Sequence, residues 1–145
     1  MPTTFQWIAP EAASCALYTE LNGLLSGGYS AASAAINNET GLYQYVNLEL
    51  IIGSLTPTAG AYVQVDLEPS LDGTTFVDTG ECNHFNQLTV FSLDTSSCTA
   101  QRLVRHNLPI PPLSFKFTVR QVAGVAFPYG TVNALRYRRH NEQGI

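Results

Sequence analysis

The chain has 145 residues, enough for one domain that buries roughly two thirds of its unfolded surface without help from a disulfide or metal. Charged residues make up 12%, against about 25% in ordinary soluble domains, and the formal net charge is −4. No apolar run reaches the roughly 18 residues of a membrane span, and the start lacks the basic and apolar stretches of a signal peptide, so synthesis in the cytosol is expected, with no membrane partner. The charge is unevenly placed. All seven Lys and Arg follow residue 100, and ten of the eleven carboxylates precede it. Such a split either steers a partner or pairs within one subunit, because early and late strands of an interleaved β-fold become neighbours.

In chain order, Phe5-Gln6-Trp7-Ile8 puts three large apolar groups at a polar terminus, as an arm that docks on its own domain or reaches a neighbour. Two readings fit the next segment. A helix over about 11–25 would place Leu17, Leu21, Leu24 and Leu25 at near-helical spacing, closed by Gly27-Gly28. An extended arm through Cys15-Ala16-Leu17-Tyr18 with one helical turn at Thr19 to Leu24 fits as well, since Cys, Tyr and Thr are indifferent helix formers. Tyr29 to Ile36 is rich in small residues and reads as a strand with a flat face.

From residue 40 onward, period-two alternation broken by Gly, Pro, Asn and Asp predicts antiparallel strands. Leu48, Leu50 and Ile52 share an inward face, and Ile51 signals cover on the other. In Tyr62 to Glu68, Val63, Val65 and Leu67 face inward while Gln64, Asp66 and Glu68 face outward, and Pro69 is expected to stop the strand. Asp72-Gly73 predicts a turn into a short strand at Thr75-Phe76-Val77. Strands follow at 88–93 and 101–106, then an extended connector at Pro109-Ile110-Pro111-Pro112. Two last strands place Phe115, Phe117 and Val119, then Leu135 and Tyr137, inward, leaving Lys116, Arg120, Arg136 and Arg138 on outer faces. Ala123-Gly124 and Tyr129-Gly130 mark turns. The expected fold is all-β: a two-sheet antiparallel β-sandwich of jelly-roll type with a short N-terminal helical segment and extended termini, barrel closure being the alternative. Residues 1–40 form an N-terminal arm with a first strand, and 41–145 the sandwich.

No catalytic or cofactor constellation assembles from these residues. His84, His106 and His140 lack the i, i+2 spacing that puts two imidazoles on one strand face. Cys15, Cys82 and Cys98 match no metal spacing; Cys82 and Cys98 could close a loop, with free, buried thiols the default. Asp66 and Glu68 share a face, as a glycosidase pair would, yet side chains on an exposed strand face are ordinarily solvated charge. Leu71-Asp72-Gly73-Thr74-Thr75 lacks the donors of a calcium loop, and no Gly-rich phosphate cradle is present. Arg136-Tyr137-Arg138-Arg139-His140 is basic and aromatic, but Tyr137 faces away from Arg136 and Arg138, which disfavours direct nucleic-acid contact. As a protein contact, Arg136, Arg138 and Arg139 suit carboxylate acceptors, with Asp66 and Glu68 as candidates in the same or the next subunit, and Phe5 and Trp7 as a second contact.

Leu21-Asn22-Gly23-Leu24, Leu48-Glu49-Leu50, Ala61-Tyr62-Val63, Pro69 to Phe76, Ile110-Pro111-Pro112 and Leu135 to Arg139 together resemble small β-rich proteins of tailed bacteriophages, most of all capsid cement, or decoration, proteins. The resemblance spans about three quarters of the sequence and lapses at 79–99. It implies a structural virion protein without cofactors that binds the outer face of an icosahedral shell. Its partners would be the major capsid protein and itself, as a homotrimer or a dimer. A carbohydrate-binding or host-attachment module of a phage tail is the second expectation, with Trp7, Tyr43, Tyr45, Tyr62 and Tyr129 as the aromatic candidates; a small hydrolase is the third.

Overall fold

A computed structural model describes residues 5–7, 11–77, 87–96, 99–129 and 133–144, with 5–7 and 142–144 described as backbone only. Among the described residues nine strands pair antiparallel: β1 (Phe5–Trp7), β2 (Ser14–Leu17), β3 (Tyr45–Ile52), β4 (Tyr62–Ser70), β5 (Gln87–Ser92), β6 (Gln101–Pro109), β7 (Ser114–Val122), β8 (Ala134–His140) and β9 (Glu142–Gly144). They form a four-stranded sheet in the order β2-β8-β3-β6, a three-stranded sheet β5-β4-β7, and a two-stranded β1-β9 ribbon.

Alternation drives the two large sheets together. Val46, Leu48, Leu50 and Ile52 of β3 and Leu135 of β8 meet Val63, Val65 and Leu67 of β4 and Phe115, Phe117 and Val119 of β7 in one buried cluster. At roughly 1.5–3 kcal/mol per fully buried large apolar side chain, this cluster is the main favourable contribution to folding. At the seam between β6 and β5, Arg105 donates from Nε and an Nη to the Val90 carbonyl, joining the sheets across their edges.

The N-terminal segment takes the extended option. Ser14–Leu17 pairs with β8, and a single 3-10 turn at Thr19–Leu21 replaces a helix over 11–25. The reason is packing: Leu17 and Leu21 are both buried in the inter-sheet core, and local helix propensity is too weak to oppose that.

Nor is 29–36 a strand, although it covers the β7 edge. Contact recurs every third residue. Ser30 N–H donates to the Val119 carbonyl while its Oγ accepts from Val119 N–H; Ser33 does the same with Phe117; Ile36 exchanges both backbone bonds with Phe115. Each serine thus supplies, from one residue, both bonds of a ladder partner. Ala31, Ala32, Ala34 and Ala35 remain exposed between these contacts.

Pro69 does not end β4, which runs on to Ser70. Opposite Pro69, Phe115 directs its N–H and C=O towards Ile36, so the Pro69 nitrogen points to the other side, where pairing with β5 among the described residues reaches only to Asp66. The missing N–H therefore costs no ladder bond. Thr75–Val77 is not a strand; Val77 N–H makes one bond to the Pro69 carbonyl. The turn before it is as expected. Gly73 takes φ +76°, and Asp72 Oδ1 accepts from Thr74 N–H, Thr75 N–H and the Ser70 hydroxyl. These bonds hold the Asp72 carboxyl well below the ordinary carboxylate range.

Three buried amides staple the loops. Gln121 Nε2 donates to the Leu24 and Val125 carbonyls and its Oε1 accepts from Ala123 N–H. Asn38 closes 38–43 and reaches the Pro111 carbonyl; Asn133 joins Gly53, Pro128 and Asn22.

Candidate functional site

The outer face of the three-stranded sheet is polar yet covered. Register sets Gln64 beside Arg120, Asp66 beside Thr118 and Glu68 beside Lys116. Asp66 and Glu68 share the face that alternation assigns, but only 0% and 5% of their surface is exposed, so they are not the solvated charges of a free strand face. They are hydrogen-bonded: Gln64 Nε2 donates to Asp66 Oδ1 at 2.8 Å, and the Thr118 hydroxyl donates to Glu68 Oε1 at 2.5 Å.

Over Glu68 and Lys116 lies a cleft of about 430 Å³. One wall is Tyr29 to Ala32 of the serine-anchored segment, and the other is Thr74, Phe76 and Val77 of the loop after β4. Lys116 Nζ sits 4.4 Å from the Phe76 ring centroid, a cation–π contact that steers the ammonium along the cleft wall. The Arg120 guanidinium lies over the Tyr29 ring at 5.6 Å from its centroid. A carboxylate that accepts, an ammonium that donates, a hydroxyl and an aromatic face thus converge on one depression, the mixed lining that orients a polyhydroxylated ligand. Among the described residues, no three His, Cys, Asp or Glu side chains cluster as metal ligands. The sequence marked Asp66 and Glu68 but not the walls around them, one of which, Tyr29 to Ala32, comes from a segment far away along the chain.

The other expected contact residues are placed elsewhere. Arg136 and Arg138 lie on the outer face of the four-stranded sheet, so within the subunit they do not meet Asp66 or Glu68 on the outer face of the opposite sheet. Arg136 and Arg102 each contact Glu49, at 3.3 and 3.2 Å. Arg139 is turned inward and its side chain is only 12% exposed. Its Nε and Nη2 grip the Glu11 carboxylate at 2.7 and 2.8 Å, Nη1 donates to the Asn37 carbonyl, and the guanidinium stacks over Tyr43. Acidic front and basic back therefore pair within one subunit at Glu11 and Glu49. Phe5 and Trp7 belong to a strand paired with β9, which docks the arm's backbone on the chain's own C-terminal end; their side chains lie outside the described residues. Cys82, Cys98 and His84 also lie outside them. Cys15 is a free thiol and exposed, not buried as expected.

Among the described residues, the aromatic candidates do not form a platform. Tyr43 is covered by Arg139, Tyr45 stacks on His140 with centroids 5.6 Å apart, and Tyr62 is half-buried. Tyr129 is 77% exposed, standing beside Gly23, where an added Cβ would meet its ring.

No family model matches the sequence, and no curated protein matches it. Among solved structures the fold is similar to the C-terminal CBM6, a carbohydrate-binding module, of LamC, a marine laminarinase from Zobellia galactanivorans. The match has a TM-score of 0.51 and 11% identity, and covers 94% of this chain and 98% of that one. At that identity the likeness is one of fold, a β-sandwich over nearly the whole length of both chains.

Proposed function

We propose that this chain is a non-catalytic recognition module that holds a hydroxyl-rich, carbohydrate-like ligand in the Glu68–Lys116 cleft. The observation that carries this reading is the cleft itself: a buried carboxylate, a lysine, Thr118 and Phe76 around about 430 Å³. Glu68 and Lys116 are adjacent across β4 and β7, so they address neighbouring hydroxyls of one ring, as acceptor and donor, while Phe76 faces its apolar side. Recognition is then by a polar cleft and not by an aromatic platform. The fold likeness to a carbohydrate-binding module supports the reading, and with it goes the proposal that the sandwich is of jelly-roll type.

The test is thermal unfolding with a panel of neutral oligosaccharides. At ten times Kd a ligand adds about 1.4 kcal/mol, a rise of roughly 5 °C in Tm for a chain of this size. The rise should disappear in Phe76→Ala and Glu68→Gln. A full panel without any shift sinks the proposal.

A second reading keeps the chain as a capsid decoration protein on the outer surface of a shell, with the major capsid protein and further copies of itself, as a trimer or a dimer, for partners. The observation that favours it is the exposed arginine face of the four-stranded sheet, together with the sequence resemblance to decoration proteins. Salt-sensitive co-sedimentation with shells, alongside glycan indifference, would put this reading first.

A further inference from the structure

We propose that the solvent face of the β2-β8-β3-β6 sheet is a docking surface for an acidic protein segment. Pairing sets what this face shows: Glu49 of β3 lies between Val104 of β6 and Arg136 of β8, Asn47 beside Arg138, and Ile51 beside Arg102. Among the described residues Glu49 is the one carboxylate that forms a salt bridge with any of Arg102, Arg136 and Arg138, and it meets the first two. It takes a single contact from Arg102 and a single contact from Arg136, at 3.2 and 3.3 Å, neither of them the two-point fork that saturates a carboxylate. Among the described residues Arg138 makes one hydrogen bond, from Nε to the Glu11 carbonyl. Among the described residues, three guanidiniums stand against the one carboxylate paired with them, which makes this face positive on a chain of net charge −4.

Val104, an apolar side chain 58% exposed, stands among these charges, and next to it lies a depression of about 290 Å³ bordered by Ala13, Asn47, Glu49, Arg136 and Arg138. An apolar centre with an arginine rim is the anatomy of a protein interface. Charge chooses the occupant. A second copy would bring the same positive face against its own kind, and a nucleic acid would lack stacking partners, since Tyr137 packs on the core side. The arginines flank β3 on both sides, roughly 10 Å apart across three strands, a spacing that carboxylates on an extended acidic segment can span. Glu68 and Lys116 open on the opposite sheet, so both surfaces can be occupied at once, and this inference does not depend on the glycan reading.

The experiment immobilises the intact chain and measures binding of poly-L-glutamate as the acidic polypeptide, with heparin and an oligothymidylate as non-protein polyanions, at low and high salt. Poly-L-glutamate should bind in a salt-dependent manner, lose about tenfold or more in R136E/R138E, and be unaffected by E68Q. Arg138→Glu alone, at an exposed side chain, carries the test if the double variant melts early. Equal binding by the arginine variants overturns the proposal. So does tighter binding of heparin or oligothymidylate than of poly-L-glutamate, or self-association by sedimentation that the same variants abolish.

Discussion

Removing the Arg139–Glu11 fork should cost the fold several kilocalories, because it is the tightest charge pairing among the described residues and ties the N-terminal arm to β8. The perturbation is a double-mutant cycle with Glu11→Ala, Arg139→Ala and the pair. Two short bonds join the partners, at 2.7 and 2.8 Å, and their side chains are only 19% and 12% exposed. Exposed pairs are worth about 0.2–1 kcal/mol, whereas hydrogen bonds to charged groups reach about 1.5–3 kcal/mol. Partial burial and two-point geometry place the coupling at about 2 kcal/mol. Arg139→Ala alone should lose more, about 3–4 kcal/mol, because it also forfeits the Asn37 carbonyl bond and the Tyr43 stack. Urea unfolding of the four proteins, read by far-UV circular dichroism, gives the coupling directly, since the cycle cancels the losses specific to Arg139. A coupling below about 0.5 kcal/mol would refute the claim that acidic front and basic back are held together within the subunit.

Gln121→Leu should destabilise the fold by about 2–3 kcal/mol, because the buried Ala123 N–H and the part-buried Leu24 and Val125 carbonyls lose the amide that joins them; calorimetric melting measures it. His140 should make stability pH-dependent. Burial holds its pKa below the ordinary imidazole value, so the folded state keeps it neutral against Tyr45 and Asn107. Its contribution is complete above the unfolded pKa near 6.5 and is lost as pH falls through the lowered folded value. The urea midpoint should drop over that window in the native chain and drop less in His140→Gln.

Strand positions were legible where one face is apolar. Leu48, Leu50 and Ile52, and likewise Phe115, Phe117 and Val119, announce their faces because burial demands period two. The same rule could not say what covers the polar side of β4, since alternation ranks Gln64, Asp66 and Glu68 as outward without regard to neighbours. Their cover comes partly from 29–32, whose signal was present as the run Ser-Ala-Ala-Ser-Ala-Ala-Ile but at period three, which neither strand nor helix templates register. Pro69 misled because its effect depends on which neighbouring strand has ended, a long-range fact. The amides of Gln121, Asn38 and Asn133 were illegible for a related reason: most of their partners are backbone atoms, which carry no residue identity. Arg136 and Arg138 were placed outward correctly, while Arg139, beside them, turns inward to Glu11.

The period-three segment divides its labour between residues. Ser30, Ser33 and Ile36 hold it to β7, while Ala31 and Ala32 make no ladder bond and look into the cleft. Larger or polar side chains at those two alanines would reshape the cleft wall and leave the anchoring hydrogen bonds in place. If the cleft holds a ligand as proposed, its preference can drift at Ala31 and Ala32 while the fold is kept, so proteins sharing this scaffold could differ in what they hold.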